Sequence, residues 1–308
     1  MKSEIIELKQ LNKRYKNKTV LRNVNLSVAQ GDIFGLIGHN GAGKSTLLKL
    51  IGGLIHRTEG EVRLFGQSTD VHKGIFDRMG LLIEQAGLYP GFTARENMRL
   101  LATAYGLRDG DERIQRLLRL VGLQEEAKTK VKHYSMGMKQ RLGIAMALVG
   151  SPDVLILDEP INGLDPQGIA DIRRLILDLN KEGLTIILSS HILEELSKVA
   201  TRYAIIDGGE IIELLTREEL VAQCGERIEL VVEDASTASP VLERELQIAD
   251  YRVIDQHTIH IHETEIENQV INQALVAAGV PVRSLITRKQ SLEQYFLERT
   301  GKGDVPHA

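Results

Sequence analysis

The chain has 308 residues, of which 43% are hydrophobic and 26% are charged, and its net charge is −4. This length predicts two domains, because a domain usually holds about 100–200 residues. The near balance of 38 basic and 42 acidic side chains argues against a protein whose main partner is nucleic acid. A single cysteine, Cys224, excludes a disulfide framework and a cysteine-based zinc site, so we expect an intracellular protein. The first residues lack the apolar core of a signal peptide, and the sequence contains no run of about 20 apolar residues, so no segment is expected to span a membrane.

The charges are distributed unevenly along the chain. Residues 226–308 carry 14 acidic and 8 basic side chains, whereas residues 1–225 carry 28 acidic and 30 basic ones. The Gly-rich and apolar segments also lie mostly in the first part. Both shifts predict a large N-terminal domain, residues 1–225, and a small acidic accessory domain, residues 226–308, that meet near Cys224 and Gly225.

The large domain alternates short apolar runs with helical patterns, which is typical of βαβ units around a mainly parallel sheet. Strands that are covered on both faces are apolar throughout. By that criterion, buried strands are predicted at 33–37, 154–157 and 185–188. Helices are predicted at 44–54 and 166–179. The predicted fold class is therefore α/β.

Residues 94 to about 147 contain no strand-like run. Within this segment, apolar residues at helical spacing predict amphipathic helices at 113–121 and 139–148. We therefore expect a helical subdomain inserted in the α/β domain.

The small domain shows a different order of elements. Strands are predicted at 227–233, 251–254, 259–262 and 282–286, and helices at 240–246 and 265–278. The resulting order, β-α-β-β-α-β, predicts an α+β domain with the ferredoxin-like arrangement.

A phosphate-binding loop is predicted directly after the strand at 33–37. The sequence Gly38-His39-Asn40-Gly41-Ala42-Gly43-Lys44-Ser45-Thr46 fits G-x-x-x-x-G-K-[ST] and precedes a predicted helix. Glycines let the backbone approach phosphates closely, and the N-terminal end of the helix adds positive potential. Lys44, expected on a solvent-facing loop, can reach the β- and γ-phosphates, and the Ser45 hydroxyl can ligate Mg²⁺.

Two carboxylates follow the predicted strand at 154–157. The end of a buried parallel strand places Asp158 at the carboxyl edge of the sheet, where α/β proteins bind ligands. Asp158 is a candidate ligand of Mg²⁺, and Glu159 is a candidate to polarise an attacking water. Such a pair is also common as a simple helix cap, and the neighbouring phosphate loop favours the catalytic interpretation.

Four further segments carry a family pattern. Residues 134–141, Y-S-M-G-M-K-Q-R, resemble a signature motif that opens a helix, and residues 162–166 resemble a D-loop. Ser189-Ser190-His191 after a strand resembles a switch histidine. In the same family pattern, Tyr15 lies where the family stacks an aromatic ring on adenine. Together with the phosphate loop, this order resembles the ATP-binding subunits of ABC transporters over about residues 4–220.

The resemblance implies a P-loop ATPase that uses ATP and Mg²⁺ and powers transmembrane transport. Two copies would form a head-to-tail homodimer in which Ser135 and Gly137 of the second copy contact the bound ATP. A separate transmembrane permease would be the other partner, with no nucleic acid. The chain would then be cytoplasmic and peripheral on the inner face of the cell membrane.

The same resemblance assigns roles to individual residues. The candidate catalytic residues are Lys44, Glu159 and His191. The candidate nucleotide contacts are Tyr15, Gly38, His39, Asn40, Gly41, Ala42, Gly43, Lys44, Ser45, Thr46, Glu84, Gln85, Ser135, Gly137 and Asp165. The candidate Mg²⁺ ligands are Ser45, Asp158, Glu84 and Gln85.

Two departures from the family pattern stand out. Met136 and Met138 replace two residues of the signature motif L-S-G-G-Q. The position at which the family has the glutamine of the Q-loop falls on Glu84, followed by Gln85, so either residue could act there. With the C-terminal S-L-E-Q-Y-F-L at 291–297, these features resemble the subgroup that exports peptide antibiotics such as bacitracin and lantibiotics.

Other interpretations stay open at this point. A soluble ABC ATPase acting on ribosomes or DNA is one alternative, although such proteins carry two cassettes or long coiled-coil inserts. A nucleotide-dependent regulator with a ligand-sensing C-terminal domain is another. His257, His260 and His262 could suggest a metal site, but an exposed strand face is the preferred interpretation.

Overall fold

The structure is a computed structural model that describes residues 3–224, 226–263, 266–289 and 292–300. The chain divides into two compact units, Met1–Arg217 and Glu218–Ala308. Gly225, at which the sequence analysis ends the large domain, lies outside the described residues.

The first unit contains ten strands and six helices among its described residues. The strands are β1 (Glu4–Tyr15), β2 (Lys18–Ala29), β3 (Ile33–Ile37), β4 (Glu59–Leu64), β5 (Gln67–Ser68), β6 (Met79–Leu82), β7 (Val154–Asp158), β8 (Thr185–Ser190), β9 (Arg202–Asp207) and β10 (Glu210–Thr216). The helices are α1 (Lys44–Ile51), α2 (Ala94–Ala104), α3 (Gly110–Leu120), α4 (Met136–Ala147), α5 (Pro166–Lys181) and α6 (Leu193–Ser197). Short 3₁₀ helices lie at Lys73–Arg78 and Val131–His133.

Two sheets build this unit. The larger has the order β10-β9-β3-β8-β7-β6 and is parallel except for β10, which pairs antiparallel with β9. Its central strands β3, β7 and β8 are buried at every residue, as expected for strands covered on both faces. The smaller sheet is antiparallel, with the order β2-β1-β4-β5, and the sequence analysis did not predict it.

Helix α1 joins the two sheets into one hydrophobic core. Leu47, Leu48 and Ile51 of this helix are fully buried and share a cluster with Leu21 of the antiparallel sheet and Ile156 of the parallel one. The helix ends at Ile51 rather than at residue 54, because Gly53 adopts a left-handed φ of 70°. Helix α1 is therefore fixed by core contacts on both sides, and its first turn directly follows the predicted phosphate loop.

The predicted insert contains three α-helices and a short 3₁₀ helix, joined by turns. Helices α2, α3 and α4 pack against one another, and no strand lies between Ala94 and Ala147 in this described stretch. Helix α4 begins at Met136, three residues before the predicted start, because the Ser135 hydroxyl caps it.

The second unit has its own sheet and core. Its elements are α7 (Arg217–Gln223, which begins at the division), β11 (Glu226–Val232), α8 (Ala235–Arg244), β12 (Tyr251–Val253), β13 (Thr258–Ile261), α9 (Asn268–Ala277), β14 (Val282–Lys289) and α10 (Leu292–Arg299). The strands form an antiparallel sheet of order β12-β13-β11-β14. Side chains of α8 and α9 share a core with alternate residues of β11 and β13, so both helices cover one face of the sheet.

Two sequence expectations in this unit need comment. Helix α8 starts at Ala235 rather than Pro240, because Asp234 caps it by accepting a hydrogen bond from the Ser236 N–H at 2.9 Å. Glu265, the predicted start of the second helix, and Ser291 of the C-terminal motif lie outside the described residues.

None of the helices in the described ranges has the length and apolarity needed to cross a membrane.

We predict that Thr93→Ala loosens the first turn of α2. The Thr93 hydroxyl accepts a hydrogen bond from the Glu96 N–H, and the Glu96 carboxylate accepts one from the Thr93 N–H at 2.7 Å. Losing such a cap costs about 1 kcal/mol, so amides in this turn are expected to exchange about fivefold faster by hydrogen-exchange mass spectrometry. Thr103→Ala, at an exposed site in the same helix, is the matched control. Equal exchange in the two variants would contradict the capping role.

Candidate nucleotide site

The predicted phosphate loop connects β3 to α1. Gly41 and Gly43 have φ values of 86° and 113°, a region that residues with a Cβ rarely adopt. A Cβ on Gly43 would lie 2.8 Å from Leu21 Cδ2, and one on Gly38 would lie 2.6 Å from the Ile206 carbonyl oxygen. No side chain caps the N-terminus of α1 in this described segment, so its first N–H groups are available to phosphate oxygens.

Lys44 lies inside this loop rather than on a solvent-facing surface, which corrects the sequence expectation. Only 5% of the residue is exposed, and its Nζ donates a hydrogen bond to the Gly38 carbonyl at 2.6 Å. The same Nζ lies 3.1 Å from Glu159 Oε1 and forms an ion pair with it. The backbone curls around the lysine, so the ammonium group is held at the centre of the loop.

The turn after β9 braces the loop from a distant part of the sequence. His39 Nε2 contacts the Asp207 carboxylate, and His39 Nδ1 lies 2.8 Å from the Asn40 carbonyl. The Gly209 N–H donates a hydrogen bond to the Ala42 carbonyl at 3.1 Å. Sequence reasoning missed Asp207 and Gly209, because only the folded sheet brings β9 beside β3.

Asp158 ends the buried strand β7, and Glu159 follows it directly. The Ser189 hydroxyl, from the neighbouring strand β8, donates a hydrogen bond to Asp158 Oδ1 at 2.5 Å and accepts one from the Glu159 N–H at 2.9 Å. One buried hydroxyl therefore positions both acidic residues. In the sequence, Ser189 stands out only as part of the motif around His191, and no local pattern indicates this bridging role.

Glu159 occupies a left-handed conformation, with φ of 49°. Its Oε2 lies 2.7 Å from His191 Nδ1, and its Oε1 faces Lys44 but has no aligned hydrogen-bond donor among the described residues. A non-glycine residue in this conformation is strained, and such strain is concentrated at functional sites. The structure thus brings three predicted catalytic residues, Lys44, Glu159 and His191, into one connected group.

The donor set at this edge suits a hard divalent cation. The Ser45 hydroxyl lies in the first turn of α1, and the Asp158 carboxylate lies two strands away at the same carboxyl edge of the sheet. Mg²⁺ prefers oxygen ligands and usually keeps several waters, so it needs only one or two protein groups beside phosphate oxygens. Thr46 follows Ser45 in the same turn of α1.

Tyr15 ends strand β1 and is 46% exposed. The Lys13 ammonium lies 4.5 Å from the centre of its ring and donates a hydrogen bond to the His56 carbonyl at 2.6 Å. This cation holds the ring in place while part of it stays open to solvent, as stacking on a base requires.

Glu84 and Gln85 follow strand β6. Glu84 has a left-handed φ of 65°, and its Oε1 lies 2.5 Å from Lys49 Nζ of α1. The Gln85 N–H donates a hydrogen bond to the Ile83 carbonyl, and its side chain lines a groove between the parallel sheet and the helical insert. The loop therefore presents Glu84 toward α1 and Gln85 toward the insert.

Ser135, Gly137 and Asp165 form a second group. Ser135 caps α4 by accepting a hydrogen bond from the Met138 N–H, and Asp165 caps α5 by accepting one from the Gly168 N–H. All three line a cavity of about 400 Å³. Within the described residues, none of them has a hydrogen bond or ion pair to the phosphate loop, so this group is separate from the first in one copy of the chain.

Tyr134 anchors the start of this second group. It is buried, and its hydroxyl donates a hydrogen bond to the Glu126 carbonyl at 2.7 Å. Burial, and secondarily the nearby Glu126 carboxylate, raise the pKa of the Tyr134 phenol, which keeps the hydroxyl protonated as a donor.

Comparison with known proteins identifies the family. A family model described as ABC transporter matches residues 21–162. The uncharacterized ABC transporter ATP-binding protein YcbN of Bacillus subtilis is 39% identical over 296 residues, which cover 96% of this chain and 96% of that protein. The chain belongs to the ATP-binding subunits of ABC transporters. It is thus an ABC ATPase, an enzyme that couples ATP hydrolysis to transport.

Two further relatives and two solved structures extend the comparison. The bacitracin transport ATP-binding protein BcrA of Bacillus licheniformis is 38% identical over 98% of this chain and 99% of its own length. The lantibiotic transport ATP-binding protein SrtF of Streptococcus pyogenes is 42% identical over 68% of this chain and 89% of its own. The structure of an ATP-binding subunit of an ABC transporter aligns with a TM-score of 0.64 at 32% identity, over 71% of this chain and 92% of that one. A dimeric bacterial ABC transporter cassette aligns with a TM-score of 0.64 at 30% identity, over 69% and 99%.

The family comparison confirms the fold class that the sequence predicted, an ABC ATPase core of the P-loop type. The related cassette has been solved as a dimer, and another dimer of it represents a post-hydrolysis state bound to ADP and phosphate. ABC ATPases act in pairs with transmembrane permeases. The roles of individual residues in this ABC ATPase remain predictions.

We predict that Ser189→Ala lowers ATP hydrolysis at least tenfold. The change removes the hydroxyl that bonds both the Asp158 carboxylate and the Glu159 backbone, so both acidic residues lose a fixed contact, and misplacement of this kind is costly. Steady-state phosphate release measures the effect. Thr185→Val is the matched control, because Thr185 is a buried hydroxyl on the same strand that accepts a hydrogen bond from Gly31 at the opposite edge. Equal turnover in the two variants would contradict the positioning role.

Proposed function

We propose that this chain is the ATP-hydrolysing subunit of an exporter for a peptide antibiotic or a similar amphipathic compound. The supporting observation is the similarity to BcrA, which extends over 98% of this chain and so includes the C-terminal unit. The solved cassettes align with only about 70% of the chain, whereas BcrA aligns with nearly all of it. The part of the chain that the cassettes lack is therefore shared with transport proteins of the BcrA type. Action on ribosomes or DNA is not favoured, because the full-length relatives are named as transport or transporter proteins.

ATP is proposed to bind over the phosphate loop with its adenine on Tyr15. The γ-phosphate offers Lys44 a stronger anionic partner than Glu159, so Lys44 would turn toward the β- and γ-phosphates. Glu159 would then be free to accept a proton from the attacking water, with His191 holding its Oε2 in place. Ser45 and Asp158 would hold Mg²⁺, which when bound neutralises phosphate charge.

A second copy is proposed to complete the site. Phosphoryl transfer needs positive potential around the γ-phosphate, and one phosphate loop supplies it from one side only. Ser135, Gly137 and the first turn of α4 face a cavity away from their own loop, where a partner's nucleotide can reach them. Met136 at this helix start is 57% exposed, an apolar surface that a head-to-tail dimer would cover.

A transmembrane permease is the proposed second partner. A groove of about 490 Å³ lies between the parallel sheet and the helical insert, lined by Leu54, Leu101, Tyr105 and Gln85 among others. Leu54 and Tyr105 are exposed. We propose that a short cytoplasmic helix of the permease occupies this groove, because its apolar walls lead directly to the loop that carries Glu84. The chain would thereby sit on the inner face of the cell membrane.

Glu159→Gln is expected to bind ATP, hydrolyse it about 10²–10⁴-fold more slowly, and accumulate as an ATP-bound dimer. The amide keeps the shape of the side chain but cannot accept the proton. Size-exclusion chromatography with light scattering at saturating Mg-ATP measures the dimer. The control is Glu182→Gln, which makes the same change at an exposed residue after α5. A Glu159→Gln protein that stays monomeric would contradict the head-to-tail mechanism.

The C-terminal unit is proposed to lie outside the catalytic cycle and to aid subunit pairing. Every proposed contact to nucleotide or metal lies between Tyr15 and His191, and the bracing turn ends at Gly209. We therefore expect that truncation after Gly225 leaves a folded domain that binds nucleotide within about threefold of the full chain, since domains fold largely by themselves. Calorimetric titration with a non-hydrolysable ATP analogue tests this. A folded fragment without measurable affinity would show that the C-terminal unit helps to build the site.

A further inference from the structure

Two carboxylates stand at matching positions on neighbouring strands. Strands β6 and β7 are parallel and pair Leu82 with Leu157, so Glu84 and Glu159 each follow two residues beyond that pair. Both residues have left-handed φ values, 65° and 49°. For residues with a Cβ this conformation is strained and needs support from the surrounding structure. The carboxyl edge of the sheet therefore carries a second strained glutamate beside the proposed catalytic one.

Each of these glutamates is paired with a lysine of α1. Lys44 lies 3.1 Å from Glu159, and Lys49 lies 2.5 Å from Glu84. Lys49 follows Ser45 by four residues, so the two share a face of the helix. Side chains of an α-helix lean toward its N-terminus, which directs the Lys49 ammonium toward the phosphate end of α1.

The charges at this edge change when ATP binds. Once Lys44 turns to the phosphates, Glu84 would place an extra negative charge near the γ-phosphate, where the family has a neutral glutamine. Lys49 balances that charge, because the Lys49–Glu84 pair is neutral as a glutamine is. The pair adds little to stability, since the Lys49 and Glu84 side chains are 28% and 63% exposed.

We propose that Lys49 is a positioning residue that neutralises Glu84 and so permits a glutamate at the Q-loop position of this ATPase. The inference rests on the proposed nucleotide site. Its effect is specific to the terminal phosphate of ATP, because ADP lacks the group nearest to Glu84. Lys49 is thus expected to distinguish ATP from ADP without touching either.

A double-mutant cycle in the full-length protein tests this proposal. Wild type, Lys49→Met, Glu84→Gln and the double variant are titrated by calorimetry with Mg-ADP and with the magnesium complex of the β,γ-imido analogue of ATP. Lys49→Met is expected to weaken analogue binding by about tenfold, the order of effect of one uncompensated charge in a partly solvated site. Mg-ADP binding should change by less than about threefold. The double variant should recover analogue affinity to within about threefold of wild type.

Two controls separate charge balance from damage to α1. Lys49→Arg keeps the charge and should retain analogue affinity. Lys181→Met makes the same charge change in an exposed pair with Asp178 at the end of α5, far along the chain from the phosphate loop. This variant should leave the affinity for both nucleotides unchanged. Additive effects in the cycle, an equal loss of ADP and analogue affinity, or an unaffected Lys49→Met variant would each overturn the proposal. Failure of the wild type to bind either nucleotide would instead overturn the site assignment itself.

Discussion

The ion pair between Lys44 and Glu159 joins the phosphate loop to the carboxylate edge of the sheet. Both groups are largely buried, and a buried charge is stable only with a partner. The pair therefore holds the lysine ammonium at the centre of the loop before nucleotide arrives. It also makes phosphate binding and the release of Glu159 mutually dependent, because one ammonium group cannot serve both anions fully. Ser189 holds the Glu159 backbone and His191 holds its carboxylate, so the glutamate stays ordered after Lys44 leaves it.

The parts of the site that the sequence predicted are those encoded in short, continuous stretches. The phosphate loop needs glycines at fixed spacing between a strand and a helix, and Gly41 and Gly43 do adopt left-handed backbone. Asp158 and Glu159 were predictable because the residues at the end of a buried parallel strand lie at the carboxyl edge of the sheet. The three buried strands of the parallel sheet were found for the same reason, since their apolar runs are uninterrupted.

The missed features depend on contacts between distant segments or on broken patterns. Strands β1 and β2 contain Gln10 and Asn23 with positive φ and several register shifts, so the alternation that reveals an antiparallel strand is interrupted. His39 and Asp207 are 168 residues apart, and only the pairing of β3 with β9 brings them together. The burial of Lys44 was missed because a charged residue in a glycine loop gives no local sign that the backbone will close around it.

Helix α1 is the least movable part of this site, and that constrains how the site can work. Leu47, Leu48 and Ile51 pack the helix between two sheets, so the backbone positions of Lys44 and Lys49 are set by the core. Apart from the Lys44 side chain, the groups that can respond to nucleotide are then Glu84 and Glu159, which lie on loops just beyond β6 and β7. Their left-handed backbone stores strain that a change of partner can release. A fixed helix with two cations, facing two strained anions, favours a response in which the strand-end loops move and the phosphate loop stays still.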